Sequence, residues 1–286
     1  MVKGTFKSIL PLRELDSHKG DYGHLLVLAG SIGMTGAAYL CARAGVLTGS
    51  GLVTLAIPKS LNSIMEVKLT EVMTLPCPET RKQTFSLKAL KNIRDLIPRV
   101  SGLAIGPGIS RNSETGSLIK KLIKHIDRPF VLDADAINIL AGQKDILKKV
   151  KAECVLTPHP GEMAGLTGRS TDYIQKNRKK TAVALAKKYN LTVVLKGYQT
   201  LVADSAGRVF VNKTGNPGMA TGGTGDILTG IIGSLLSQGV TVWDSCCLGV
   251  YWHGLAGDLA AKDKGQVSLC ATDLLNKLPQ AIKNIN

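Results

Sequence analysis

The segment NPGMATGGTGDILTGIIG, residues 216–233, joins a glycine-rich loop to one carboxylate and then to an apolar stretch. The carboxylate is Asp226, and the apolar residues after it recur at four-residue steps, at positions 227, 228, 231, 232, 235 and 236. This spacing predicts a helix that begins near Thr224. Glycine lets backbone N–H groups approach a ligand closely, and a helix N-terminus adds unpaired donors and partial positive charge. The sequence therefore predicts an anion site that suits phosphate.

Asp226 admits two interpretations. It could cap the helix and complement the helix dipole, as an acidic residue in a first turn does. It could also be the general base that takes a proton from a hydroxyl group attacking a phosphate, while the loop amides hold the developing charge. The loop is longer than a cap requires, and Thr221 or Thr224 could serve as the cap. The base is therefore the favoured interpretation.

Two common phosphate-binding motifs are excluded. The chain contains no Gly-Lys-Ser or Gly-Lys-Thr, so it has no Walker loop. Gly106-Pro107-Gly108 lacks the third glycine of the dinucleotide-binding fingerprint.

The elements that must position the loop are short apolar runs alternating with Lys-rich amphipathic segments. Runs that are apolar on both faces are typical of a parallel sheet covered by helices. Two alternating runs joined by Ser205-Ala206-Gly207 predict a hairpin at an antiparallel edge. Residues 224–286 read as helical throughout, and 1–286 read as one α/β domain. The predicted strands lie within 24–30, 52–57, 101–108, 130–136, 154–162 and 192–197, with a helix of small residues at 35–49.

The unusual residue clusters fall where these strands end. In open α/β sheets, ligands bind beyond the carboxyl ends of the strands. We therefore expect these clusters to share one site: Gly30-Ser31, Gly106-Pro107-Gly108, Asp133-Ala134-Asp135, 157–162 and Lys196-Gly197.

Composition limits the classes of partner. The formal net charge is +15, but the basic residues are spread over several helical segments, which indicates solvated faces and a positive field that favours phosphorylated ligands. No basic block with interleaved aromatic residues points to a nucleic-acid surface. No signal core or apolar run of membrane-spanning length occurs, which predicts a cytoplasmic protein that binds no membrane. The six cysteines form no C-x-x-C pair and are expected to be buried free thiols.

The segment GTGD at the start of a helix resembles the anion hole and base of ribokinase-like small-molecule kinases. A longer series resembles, in order along most of the chain, the ADP/ATP-dependent NAD(P)H-hydrate dehydratases, which are repair enzymes related to carbohydrate kinases. The resemblance implies a ribokinase-like three-layer α/β sandwich with a central, mostly parallel sheet. The matching segments are HKGDYGHLLVLAGSIGMTGAAYLCARAGVLTGSGLVT, AIGPG, VLDADAINIL, LTPHPGE, VLKGYQTLVAD and NPGMATGGTGDILTGIIGSLLSQG.

The activity that the resemblance implies is dehydration of the S form of hydrated NADH or NADPH. ADP or ATP, with Mg²⁺, would phosphorylate the hydroxyl group of the damaged nicotinamide ring, and phosphate would then leave. A form without a fused epimerase domain is expected, as in stand-alone prokaryotic members, so ADP is the expected donor by analogy. Relatives are often tetrameric, so a homotetramer is expected.

The resemblance also implies site residues. Asp226 would be the base and would contact the hydrated ring. Further substrate contacts would be Ala37 (or its neighbour Ala38), Gly108 and His159. Glu162 would help to bind the metal. The nucleotide would contact Lys196, Gly197, Tyr198, Gln199, Thr200, Asn216, Gly223, Thr224 and Gly225.

Several residues keep alternatives open. His159 and Glu162 form a His-x-x-Glu pattern that resembles the dehydratases, whereas sugar kinases often have Asn-x-x-Glu; each residue could also be structural. Asp133 and Asp135 could position a loop, reach magnesium through water, or cap a turn. Packing and buried hydrogen bonding are favoured for His24, His253 and Asp258, and a core or loop-filling role for Met34, Met65, Met73 and Met163.

Two other functions remain possible from the sequence. A kinase of the same fold, acting on a hydroxymethyl heterocycle or a sugar, would share the glycine loop and the base. A non-catalytic nucleotide sensor would bind without turnover, but it would not need Asp226.

Overall fold

The computed structural model describes residues 9–284. Its centre is a nine-stranded sheet with the strand order β3-β2-β1-β4-β5-β6-β7-β8-β9. Strands β1 to β7 are parallel, and β8 and β9 continue the sheet antiparallel at one edge. The strands are β1 (His24–Leu28), β2 (Leu52–Pro58), β3 (Met73–Cys77), β4 (Gly102–Ile105), β5 (Phe130–Leu132), β6 (Cys154–Leu156), β7 (Thr192–Leu195), β8 (Leu201–Ala203) and β9 (Val209–Val211).

Helices cover both faces of the sheet and make three layers. Helices α1, α2, α9, α10 and α11 share one buried apolar cluster with the sheet, and α3 to α8 share the other. The predicted three-layer α/β sandwich is confirmed. The helices are α1 (Thr35–Leu47), α2 (Asn62–Lys68), α3 (Ala89–Leu96), α4 (Ser113–Leu122), α5 (Asp135–Leu140), α6 (Pro160–Thr167), α7 (Thr171–Lys176), α8 (Arg178–Tyr189), α9 (Thr224–Ser237), α10 (Val242–Lys264) and α11 (Ala271–Lys283).

Except for β2, which runs to Pro58, the predicted strands end earlier than expected. Strand β4 stops at Ile105 because Gly106 turns the chain at φ +130°. Strand β5 stops at Leu132, and α5 starts at Asp135, inside the run predicted as a strand. The sequence analysis missed β3, the edge strand, whereas the hairpin of β8 and β9 is confirmed. The shortened strands leave irregular backbone at their carboxyl ends, where ligands bind in such sheets.

Two residues depart from the expectations for sulfur-containing side chains, Cys270 and Met73. Five of the cysteines are buried, but Cys270 is exposed because it stands at the start of α11. Met65 and Met163 lie in the core, whereas Met34 is 52% exposed in the β1–α1 connection and Met73 is 45% exposed on the edge strand. Among residues 9–284, no helix is both long enough and apolar enough to cross a bilayer.

Candidate functional site

The glycine loop ends where α9 begins, at Thr224. Among residues 9–284, no backbone or side-chain acceptor meets the N–H groups of residues 221–226. Thr221 and Gly222 are exposed, Gly223, Gly225 and Asp226 are half-buried, and Thr224 is buried. Six consecutive free donors at a helix N-terminus are an arrangement able to bind an anion, and the anion site itself stays a prediction.

Gly223 gives the loop its shape. Its φ of +95° lies in the left-handed region, and an added Cβ would lie 2.5 Å from Leu40 Cδ1 and 3.0 Å from Ala271 Cβ. The loop is therefore pressed against α1 and the start of α11. Gly222 differs, because an added Cβ would meet nothing within 4 Å.

We expect Gly223→Ala to lower the free energy of unfolding by about 1–3 kcal/mol, because a Cβ both clashes and strains the backbone. Gly222→Ala is the matched control and should stay within about 0.5 kcal/mol of the parent protein. Urea unfolding of both variants measures the difference. Equal stability of the two variants would contradict this account of the loop.

Asp226 is the third residue of α9 and is partly buried. No described residue donates a hydrogen bond to its carboxylate, so the carboxylate does not cap the helix. Burial, and then the charge of Asp133, raise the pKa of Asp226 to about 7, against the opposing effect of Lys196. A carboxylate with this pKa suits a general base at neutral pH.

Lys196 lies at the centre of a buried charge network. Its Nζ is 2.5 Å from Asp133 Oδ1 and 3.8 Å from Glu162 Oε2. Asp133 is 1% exposed and also accepts hydrogen bonds from Thr157 and Thr229, both at 2.7 Å. Burial lowers the pKa of Lys196, but the two carboxylates outweigh it and the net direction is upward. With its side chain 17% exposed and paired with two buried carboxylates, the residue is a half-buried cation rather than a solvated strand exit.

The network also touches the glycine loop. Thr229, which donates to Asp133, lies in the second turn of α9 and also donates to Gly225 O at 3.1 Å. A Cβ at Gly225 would lie 3.4 Å from Lys196 Nζ. The ammonium group is therefore next to the free amides, and both attract an anion.

His159 and Glu162 form a reciprocal cap at the start of α6. Nδ1 of His159 accepts from the N–H groups of Gly161 and Glu162, and Glu162 Oε2 accepts from His159 N at 2.7 Å. Because Nδ1 accepts, the ring proton is on Nε2, which lies 3.3 Å from Glu162 Oε1. Burial and Lys196 lower the pKa of His159, and burial raises that of Glu162 to about 6. The exposed ring edge of this neutral histidine faces outward beside the network.

The segment after β7 is largely open. Gly197 adopts φ +125°, Gln199 φ +53°, and Tyr198 is 89% exposed. Arg178, which the sequence analysis missed, holds this segment by donating to Leu195 O at 2.9 Å and to Lys196 O at 3.3 Å. No local sequence signal marks Arg178, because it reaches the segment from the start of α8.

Gly108 and Ala37 lie next to each other, near the start of α1. At Gly108, φ is +64°, and an added Cβ would lie 2.8 Å from Met34 Cβ and 3.2 Å from Ala37 Cβ. Ala38 is fully buried, so Ala37 is the alanine that a ligand can reach. Leu40, one turn further along α1, contacts Gly223, so these residues flank the anion site.

The remaining candidates have structural partners. Asp135 accepts from Ser110 N at 2.9 Å and so positions a loop. His24 contacts Thr54 Oγ1 and Arg99 O at the opposite end of β1. Asn216 donates to Asp258, and His253 contacts Thr224 O.

Within 9–284, no three His, Cys, Asp or Glu residues form a group that could hold a metal ion. Both oxygens of Glu162 already have partners, and Asp133 is bonded to Lys196 and two threonines. The protein groups alone do not build a magnesium cage, and the metal role of Glu162 stays a prediction.

A family model described as NAD(P)H-hydrate dehydratase matches residues 25–280. A bifunctional NAD(P)H-hydrate repair enzyme of Moorella thermoacetica is 45% identical over 98% of this chain and 53% of its own length. An ADP-dependent (S)-NAD(P)H-hydrate dehydratase of Neisseria meningitidis is 37% identical over 91% of this chain and 84% of its own. The chain spans about half the length of the bifunctional relatives it matches.

Solved structures agree. The ADP/ATP-dependent NAD(P)H-hydrate dehydratase from Bacillus subtilis, co-crystallised with ATP and Mg²⁺, is 30% identical, with a TM-score of 0.86 over 100% of this chain and 98% of its own. A hydroxyethylthiazole kinase from Pyrococcus horikoshii, 16% identical over 94% of this chain and 90% of its own, has a TM-score of 0.62 and shares the fold alone.

Proposed function

The chain belongs to the NAD(P)H-hydrate dehydratase family, and from this membership we propose that it restores the S form of hydrated NADH or NADPH to the reduced coenzyme, with ADP or ATP as phosphoryl donor. The observation that carries the proposal is the run of free amides at 221–226 beside a carboxylate that has no hydrogen-bond partner among the described residues. In this proposal the amides bind the phosphoryl group as it is transferred, and the carboxylate accepts the proton of the hydroxyl group that attacks it.

In the first step, the ring hydroxyl oxygen attacks the terminal phosphorus atom of the nucleotide while Asp226 accepts the hydroxyl proton. The new O–P bond forms as the bond to the nucleotide's bridging oxygen breaks. The amides of 221–226 and the Lys196 ammonium hold the charge on the transferred group. Because both donor types are fixed before the reaction, little reorganisation is required.

In the second step, the ring nitrogen donates its lone pair and the C–O bond to phosphate breaks. The neighbouring ring carbon then loses a proton, and the double bond of the reduced nicotinamide is restored. Phosphorylation makes this step possible because phosphate is a better leaving group than hydroxide. The roles of Ala37, Gly108 and His159 as substrate contacts, and of Asn216, Gly223, Thr224, Gly225 and 196–200 as nucleotide contacts, are part of the proposal.

Magnesium fits this site as an ion carried by the nucleotide phosphates, since Mg²⁺ is commonly bound by one or two carboxylates plus substrate phosphates. Glu162 is the proposed protein contact. The ion would neutralise phosphate charge when bound.

The dependence of the rate on pH tests Asp226 as the base. Since the base must be deprotonated, kcat/KM should rise with pH through a midpoint near 7. In Asp133→Asn the midpoint should move to lower pH, because the negative charge of Asp133 raises the pKa of Asp226. A midpoint that stays in place in this variant would contradict the electrostatic origin of the shift.

Incubating the protein with hydrated NADH and either ADP or ATP, and following the absorbance of reduced nicotinamide, tests the function itself. The proposal expects a nucleotide-dependent gain in absorbance and release of inorganic phosphate. A stable phosphorylated product without that gain would favour the alternative, a kinase acting on a hydroxymethyl heterocycle or sugar. Binding of nucleotide with neither product would favour the non-catalytic sensor.

Three further features belong to the proposal. We infer one domain over 1–286, a homotetramer and a cytoplasmic location. A single nine-stranded sheet supports the first, the family resemblance supports the second, and the free cysteines, which are typical of a reducing compartment, support the third. Light scattering of the purified protein tests the tetramer, which a monomeric mass would exclude.

A further inference from the structure

Helix α10 holds both ends of the glycine loop. At the start of the loop, Asp258 accepts from Gly215 N at 2.9 Å and from Asn216 Nδ2 at 3.0 Å. At its end, His253 Nε2 lies 2.8 Å from the carbonyl oxygen of Thr224. Asn216 Oδ1 in turn accepts from Gly218 N at 3.0 Å. The loop is therefore fixed to one helix at two points.

Small residues bring α10 close enough for these contacts. A Cβ on Gly254 would lie 2.2 Å from Thr214 Oγ1, and one on Gly257 would lie 2.3 Å from Met219 Sδ. Neither position accepts a larger side chain without moving the loop. The segment WHGLAGD, residues 252–258, thus forms a surface against which residues 214–224 pack.

The contact of His253 has a defined direction. A carbonyl oxygen only accepts, so Nε2 carries the proton and donates it to Thr224 O. Burial lowers the pKa of His253 to about 4, so the ring is neutral near pH 7. His253 therefore acts as a hydrogen-bond donor and adds no net charge.

The same peptide unit carries a free amide of the anion site. In a trans peptide the C=O of Thr224 and the N–H of Gly225 point in opposite directions. A donor that fixes the carbonyl on one side therefore aims the N–H to the other side, toward the anion. Donation to the carbonyl also polarises the peptide and strengthens its N–H as a donor.

From this geometry we propose that His253 is a positioning residue, which orients and polarises the Thr224–Gly225 peptide so that the Gly225 N–H binds a nucleotide phosphate. The inference rests on the proposed function for its ligand. Thr224 also helps to fix the loop, because its Oγ1 lies 3.1 Å from both Met219 O and Thr221 O and shares its one proton between them. Two carbonyls of the loop, those of Met219 and Thr221, are thereby engaged within the loop itself.

Three variants test the proposal. His253→Phe removes the donor, and His253→Gln restores an N–H at nearly the position of Nε2. Thr214→Val is the matched control, because Thr214 Oγ1 also bonds α10, at Tyr251 O, 3.0 Å away, but that peptide lies outside the amide run. The readouts are the dissociation constants of ADP and ATP, the Tm, and the amide proton shift of Gly225 in labelled protein.

We expect His253→Phe to weaken ADP and ATP binding about five- to tenfold, as one net hydrogen bond would, and to move the Gly225 amide signal upfield. Gln should recover most of both effects, and Thr214→Val should lower the Tm without weakening binding. Binding by the Phe variant within twofold of the parent, or equal losses in Phe and Gln, would overturn the proposal. Should the Phe variant fail to fold, His253→Asn, which shortens the donor's reach, replaces it. Failure of the parent protein to bind either nucleotide would instead refute the proposed function.

Discussion

Asp226→Asn is expected to lower the rate of hydrate dehydration about 10²- to 10⁴-fold, the contribution typical of a general base. The amide cannot accept the hydroxyl proton, although it fills the same space. Affinity for ADP and ATP should be largely retained, because the free amides at 221–226 and Lys196 are untouched. Single-turnover rates and calorimetric titration measure the two effects separately.

Asp273 provides the matched control. It occupies the same third position of its helix, α11, as Asp226 does in α9, and it accepts from Cys270 N as an ordinary cap. Asp273→Asn should cost stability and leave the rate near that of the parent. If Asp226→Asn behaves like Asp273→Asn, then Asp226 is a cap and the mechanism loses its base.

Lys196→Met is expected to lower the free energy of unfolding by about 3–5 kcal/mol, the usual result of breaking a buried ion pair. The variant leaves Asp133, which is 1% exposed, and Glu162, which is 5% exposed, without their cation. Nucleotide affinity should fall as well, because the ammonium lies beside the loop amides. Urea unfolding and nucleotide titration measure the two losses.

The double variant Lys196→Met, Asp133→Asn should recover at least half of the lost stability, because it removes the carboxylate that was left unpaired. Lys176→Met is the surface control: Lys176 pairs with Asp172 at 3.0 Å, but both side chains are 73% exposed. Such pairs contribute about 0–1 kcal/mol. A loss below about 1 kcal/mol in Lys196→Met would show that the network is solvated after all.

Much of the fold could be predicted because its signals are local. Apolar runs mark strands, and four-residue spacing after Asp226 marks α9 and its start at Thr224, which the structure confirms. The sequence analysis did not detect the edge strand β3 because only part of it is buried, so it lacks the two-sided apolar run of the central strands. Most strand ends were placed too late because the predicted segments included the glycine, polar and charged loop residues that follow the last ladder hydrogen bond.

The sequence by itself determined the fold class and the loop with its carboxylate, since both depend on spacing along the chain, and the resemblance of its motif segments indicated the family. Only the tertiary structure decided what surrounds that carboxylate. The pairing of Lys196 with Asp133, the support of the nucleotide segment by Arg178 and the contact of His253 with Thr224 join residues 63, 18 and 29 positions apart. No local pattern records such contacts. They arise when the sheet brings its strand ends together and α10 packs on the loop, and they set the charge, the pKa and the amide directions on which the chemistry depends.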